Sequence, residues 1–207
     1  MSTAVAKSLV SRGVTSLLRH PIMMSVKTAV RDLTWSVKAD VPANPPIPEH
    51  VRSVLFVCLG NICRSPFARE LAARRLKERG HATIASRSAG IRTTQANRAP
   101  AEACAAAAAY GIELDTHAPA QLTTKMMDEA DMVVVMEAAH FNELQLTYPA
   151  HRARLFLLPI FDKGAGGAHA RYNIADPYGR PLHAFEMCYR RISSALDHFL
   201  PSILRSR

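Results

Sequence analysis

The sequence predicts an α/β domain, a parallel sheet with helices on both faces, preceded by a helical extension. Three observations carry this reading. After residue 51, short β-rich apolar runs alternate with helix-forming segments, the rhythm of βαβ units. The first run, Ser53 to Cys58 (SVLFVC), is almost continuously apolar, as expected of a parallel strand buried on both faces. A proline-rich stretch over 40–51, with Pro42, Pro45, Pro46 and Pro48, divides this region from a different N-terminal segment. The chain has 207 residues, 48% of them apolar, enough for one folded domain and an appendage.

We therefore divide the chain into a helical extension (1–39), an extended linker (40–51) and the α/β domain (52–207). In the extension, Val10, Val14, Leu17 and Leu18 recur at helical spacing. Pro21 interrupts, and Ile22, Val26, Val30, Leu33 and Val37 form a second stripe. Residues 1–31 carry Lys7, Arg12, Arg19, Lys27 and Arg31 and no acidic residue. Three readings stay open: a basic surface for an anionic membrane or a partner, an organelle transit peptide, or helices packed on the domain.

Within the domain, Ser65, Pro66 and FARELAARRLKERG predict a helix capped by Ser65 and ended by Gly80. A second strand is expected over Ala82 to Ser88 and a helix from Ala99 to Tyr110. Asp131 to Met136 and Arg154 to Leu158 read as further strands. Leu182 to Leu204 reads as the closing helix. Residues 163–172, with Gly164, Gly166 and Gly167, read as a mobile loop.

The stretch with chemical meaning is VCLGNICRS, Val57 to Ser65, between strand and helix. Its backbone amides and the helix N-terminus suit a phosphate ester. Gly60 and Asn61 tolerate left-handed backbone. Arg64 offers a fork for two phosphate oxygens. The same field favours a thiolate at Cys58, able to attack phosphorus, and Ser65 is placed to hydrogen-bond that sulfur. Leu59, Gly60, Asn61, Ile62, Cys63 and Ser65 complete the binding loop. Asp176, in Asp176-Pro177-Tyr178, is the candidate acid and later base, with Tyr178 beside it to stack on an aromatic leaving group.

VCLGNICRS followed late in the chain by DPY resembles the low-molecular-weight protein-tyrosine phosphatase family, from about residue 52 onward. The resemblance implies a three-layer, doubly wound domain on a four-stranded parallel sheet. It also implies a phosphocysteine mechanism without metal or other cofactor. It casts Cys58 as nucleophile, Arg64 as phosphate ligand and Asp176 as general acid. Asn61 becomes the support of the strained loop, with Ser88 and His117 as its polar partners. In this family a Cys58–Cys63 type pair can close a reversible disulfide that shields the nucleophile.

The chain departs from the family at Ala118-Pro119-Ala120, where basic residues are frequent, and at Gly179, where some relatives have a second aromatic. Arsenate reductases share the scaffold but need relay cysteines, and none stands near Ala130-Asp131-Met132. Protein-arginine phosphatases of this fold carry threonine where Ile62 stands. A non-catalytic phosphotyrosine-binding module is the remaining alternative. The resemblance implies a phosphotyrosine protein as substrate, with a tyrosine kinase among the candidates. The net charge of +9 suggests anionic partners, yet no basic-aromatic motif supports nucleic acid. Four sparse cysteines indicate a reducing, cytoplasmic setting, with contact to a membrane surface through 1–39 left open. Cys104 and Cys188 read as core residues.

Overall fold

The computed structural model describes residues 43–94 and 98–205. The expected helical extension and the start of the linker lie outside the described residues. Four parallel strands form one sheet in the order β2-β1-β3-β4. They are β1 (Ser53–Cys58), β2 (Ala85–Gly90), β3 (Met132–Val135) and β4 (Leu155–Leu157). Phe56 pairs with Ser88 and Cys58 with Gly90 on one side of β1, while Val54 pairs with Met132 on the other.

The apolar run of β1 explains the layering. Val54, Phe56 and Cys58 point into one core, and Leu55 and Val57 into a second. The strand's period of two thus supplies both faces. Helices α1 (Arg64–Glu78), α2 (Ala101–Ala108) and α6 (Leu182–Leu204) cover the first face. Helices α3 (Thr124–Glu129) and α4 (Ala138–Thr147) cover the second. A short helix, α5 (Ala168–Tyr172), precedes the segment that carries Asp176. The four-stranded doubly wound sheet is the architecture the sequence led us to expect. Cys188 lies in the first core and Cys104 packs against it.

Several boundaries moved. β2 begins at Ala85 rather than Ala82 and runs on to Gly90, because its pairing with β1 sets its extent. Ser65 is not the cap of α1. Cys63 holds that position, without a side-chain cap bond, and the Ser65 hydroxyl is used inside the loop. Gly80, at φ +77°, ends α1 as expected. The glycine-rich stretch 163–172 contains α5, and the segment is anchored. Arg191 binds Asp162 Oδ2 at 2.9 Å and the Asn173 and Ala170 carbonyls at 2.7 Å each.

The proline-rich residues 43–50 are without helix or strand, and they dock. Asn44 donates to the Leu157 carbonyl at 3.1 Å and accepts from its N–H at 2.6 Å. Ile47 packs on the core and Val51 is buried within it. The sheet's topology then positions the site. From β1 the chain passes to β2 on one side, and the sheet continues through β3 on the other. The crevice at the carboxyl end of β1 is the switch point where such folds hold ligands.

Candidate active site

The loop from Cys58 to Arg64 fills that crevice. Asn61 has φ 54°, a left-handed conformation costly for most residues and tolerated by asparagine. This twist brings the Asn61 N–H to 3.3 Å from Cys58 Sγ. The Asn61 carboxamide then holds three sides of the loop. Its Nδ2 donates to Ser65 Oγ at 2.8 Å, and its Oδ1 accepts from the Ala120 N–H at 2.8 Å. His117 Nε2 lies 2.8 Å from the Asn61 carbonyl and 3.2 Å from Oδ1. Both partners are acceptors, so Nε2 carries the proton. Burial, the largest influence, lowers the His117 pKa and favours the neutral ring.

Ser65 Oγ stands 3.1 Å from Cys58 Sγ and 3.3 Å from the Ala89 carbonyl. One hydroxyl proton serves two acceptors. With a thiol at Cys58 it can go to Ala89, and with a thiolate it turns to sulfur. Behind the loop, Tyr189 of α6 donates to the Cys63 carbonyl at 3.3 Å. Its ring stacks on Phe67 of α1 at a centroid distance of 3.9 Å.

Arg64 is 2% exposed. A buried guanidinium is tolerable only with partners, and it has three. Nη2 pairs with Asp176 Oδ2 at 2.7 Å, Nη1 with Glu137, and Nη1 also with the Ile174 carbonyl at 3.0 Å. Burial pulls its pKa down most strongly, but Cys58, Asp176 and Glu137 outweigh that, so the guanidinium is held charged. Asp176 is fixed in turn by the Tyr178 N–H, which donates to Oδ1 at 3.2 Å.

Cys58, Leu59, Gly60, Ile62, Cys63, Arg64, Asp176 and Tyr178 line a cleft of about 180 Å³, with Arg92 at its margin. The uncapped amino end of α1 belongs to the same wall, with no acidic residue in its first turn, an arrangement that favours an anion. Cys63 is a free thiol like Cys58. Burial foremost, and then the neighbouring Cys58, pushes its pKa up.

One expected support is corrected. Ser88 lies in β2, and its buried Oγ has no hydrogen-bond partner among the described residues. It does not hold Asn61; His117, Ala120 and Ser65 do. Ser88 and Gly90 share one face of β2, and it is Gly90, at the carboxyl end of the strand opposite Cys58, that meets the loop. A Cβ on Gly90 would lie 2.9 Å from Asn61 N and 2.9 Å from the Gly60 carbonyl carbon. Glu137, Gly90 and Arg92 were missed from sequence. The SAG triplet was the available signal for Gly90. Glu137 follows a strand end, where α/β sites gather.

A model of the low molecular weight phosphotyrosine protein phosphatase family matches residues 53–207. The chain belongs to this family. The probable low molecular weight protein-tyrosine-phosphatase EpsP of Ralstonia nicotianae is 35% identical over 153 residues, spanning 74% of this chain and 97% of that protein. The crystal structure of the tyrosine phosphatase AmsI of Erwinia amylovora matches with TM-score 0.64 and 30% identity, over 73% of this chain and 93% of that one. The YwlE arginine phosphatase of Geobacillus stearothermophilus also matches, with TM-score 0.63 and 27% identity, over 74% and 94% of the two chains. As a member of this phosphatase family, the chain is an enzyme built for phosphate monoesters.

Proposed function

We propose that this enzyme hydrolyses phosphotyrosine in protein substrates, and small aryl phosphates, through a phosphocysteine on Cys58. The observation that carries the reading is the convergence of Cys58, Arg64 and Asp176 in one cleft, although Asp176 lies more than a hundred residues from Cys58. The phosphate dianion settles against the loop amides and the start of α1, and competes with Asp176 for Arg64. Cys58 sulfur attacks phosphorus, the P–O bond breaks, and the protonated Asp176 carboxyl gives its proton to the leaving phenolate. Water then attacks the phosphocysteine. Asp176 takes its proton, the S–P bond breaks, and the Ser65 hydroxyl stabilises the departing thiolate. Inorganic phosphate leaves.

Ile62 in the cleft wall supports an aromatic ester over phosphoarginine, because an apolar side chain offers no partner to a guanidinium. The test is turnover of p-nitrophenyl phosphate, a phosphotyrosine peptide and a phosphoarginine peptide. Cys58→Ser should abolish all turnover with the fold intact. Hydrolysis of the phosphoarginine peptide alone would overturn the reading. Cys58→Ser and Asp176→Ala variants used as traps would retain phosphotyrosine proteins, a tyrosine kinase being one class to look for.

The free cysteines support a reducing, cytoplasmic compartment. Among the described residues, no helix is long and apolar enough to cross a membrane. The acid-free basic run over 1–31 supports contact with an anionic membrane surface. Full-length protein should then sediment with anionic liposomes more than a truncation beginning at Ala43 does. Equal sedimentation counts against it.

A further inference from the structure

Beside the catalytic cleft lies a second hollow of about 590 Å³, lined by Arg98, Pro100, Glu102, Tyr178, Gly179, Arg180 and Pro181. Tyr178 is 60% exposed and is a wall of both cavities. The two are thus neighbours across one ring. Gly179 leaves the boundary low. It has φ +70°, and a Cβ there would meet nothing within 4 Å, so main chain of a bound peptide can pass where a larger side chain would stand.

The charges of the hollow are unusual. Arg98 and Arg180 are exposed and make no ion pair among the described residues. The basic residue of the catalytic cleft's rim, Arg92, is by contrast paired with Glu143 at 2.7 Å. Glu102 is the hollow's one carboxylate, leaving two cations to one anion. The amino ends of α2 and α6, capped by Pro100 and Pro181 without side-chain bonds, add partial charge of the same sign. An unpaired cation pair next to the place where phosphotyrosine enters meets an acidic flank of the substrate chain.

We propose that Arg98 and Arg180 form a specificity subsite for acidic side chains flanking the phosphotyrosine, reached over the gap at Gly179. This rests on the phosphotyrosine reading above and adds the substrate's local chemistry to it. Exposed charge pairs act weakly and are screened by salt, so the subsite selects among substrates rather than supplying the grip on phosphate.

The test compares three phosphotyrosine peptides of equal length, with aspartate, alanine or lysine on both sides of the phosphotyrosine. The full-length protein should show a kcat/KM for the aspartate peptide roughly fivefold to tenfold above that for the alanine peptide at low salt, the yield of two exposed ion pairs. The advantage should shrink towards parity near half-molar salt. Arg98→Gln with Arg180→Gln should remove it while leaving p-nitrophenyl phosphate turnover within about twofold. Arg180→Glu should shift preference towards the lysine peptide. Equal kcat/KM for the three peptides with normal p-nitrophenyl phosphate turnover overturns the subsite alone. So does a preference that survives in the double variant, or a double variant that loses p-nitrophenyl phosphate turnover. Failure of the unaltered protein on every phosphotyrosine ester overturns the enzyme reading itself.

Discussion

Gly90 ends β2 with its Cα turned towards the loop that leaves β1. A Cβ there would meet the Thr93 side chain at 2.5 Å and the backbone of Asn61 and Gly60 at 2.9 Å, and that backbone cannot swing aside. Gly90→Ala should therefore displace the phosphate loop. A shift of this kind costs about a hundredfold in kcat on p-nitrophenyl phosphate and about 2 kcal/mol in a urea titration. His140, in the first turn of α4, is a second residue with a measurable consequence. It is buried, and its Nδ1 has no hydrogen-bond partner among the described residues. Burial, and then Arg64, lowers its pKa to about 4 from an ordinary value of 6.5. Between those values the unfolded chain binds a proton that the folded chain refuses. Stability therefore rises with pH across that window, and about 3 kcal/mol of it is lost as pH falls from 6.5 to 4. His117, also lowered by burial, contributes with the same sign. Urea midpoints from pH 4.5 to 7.5 should show a flatter slope for His140→Gln than for the unaltered protein.

The approach to Asp176 shows how an element is held in place by another. α6 presents Arg191 and Ser194 to Asp162, with Ser194 Oγ donating to Oδ1 at 2.9 Å. Arg191 reaches across to the carbonyls of Ala170 and Asn173. Asp162 is 7% exposed, so removing its cation leaves a buried carboxylate unpaired. Arg191→Ala should cost about 3 kcal/mol, and trypsin should cut faster after Lys163 or Arg171. α6 was legible from its apolar stripe, Phe185, Cys188, Tyr189, Ile192 and Leu196. Its clamp was not, because nothing local links Arg191 to a loop some thirty residues earlier. α4 was also unread. Ala138, His140, Phe141 and Leu144 are its buried residues, a weak stripe between two strands, although a parallel β3–β4 pair requires a crossover.

Asn44 brackets Leu157 at the free edge of β4, so the region ahead of β1 is part of the folded body from this point. A truncation beginning at Glu49 should be less stable than one beginning at Ala43 by about 2 kcal/mol, read from thermal or urea unfolding. The sequence by itself determined the sheet, and it marked the loop and the aspartate that we propose as nucleophile and acid. Those signals are local: an apolar run, nine contiguous residues, and a three-residue turn, each with its chemistry inside a few peptide units. Tertiary structure alone decided what holds them together. Glu137 reaches Arg64 from the end of β3, Gly90 meets the loop through strand register, and Arg98 and Arg180 share a hollow although they lie far apart in the chain. Such partnerships arise from parallel pairing and helix packing, which join distant residues by geometry and leave no periodicity or spacing in the chain to announce them.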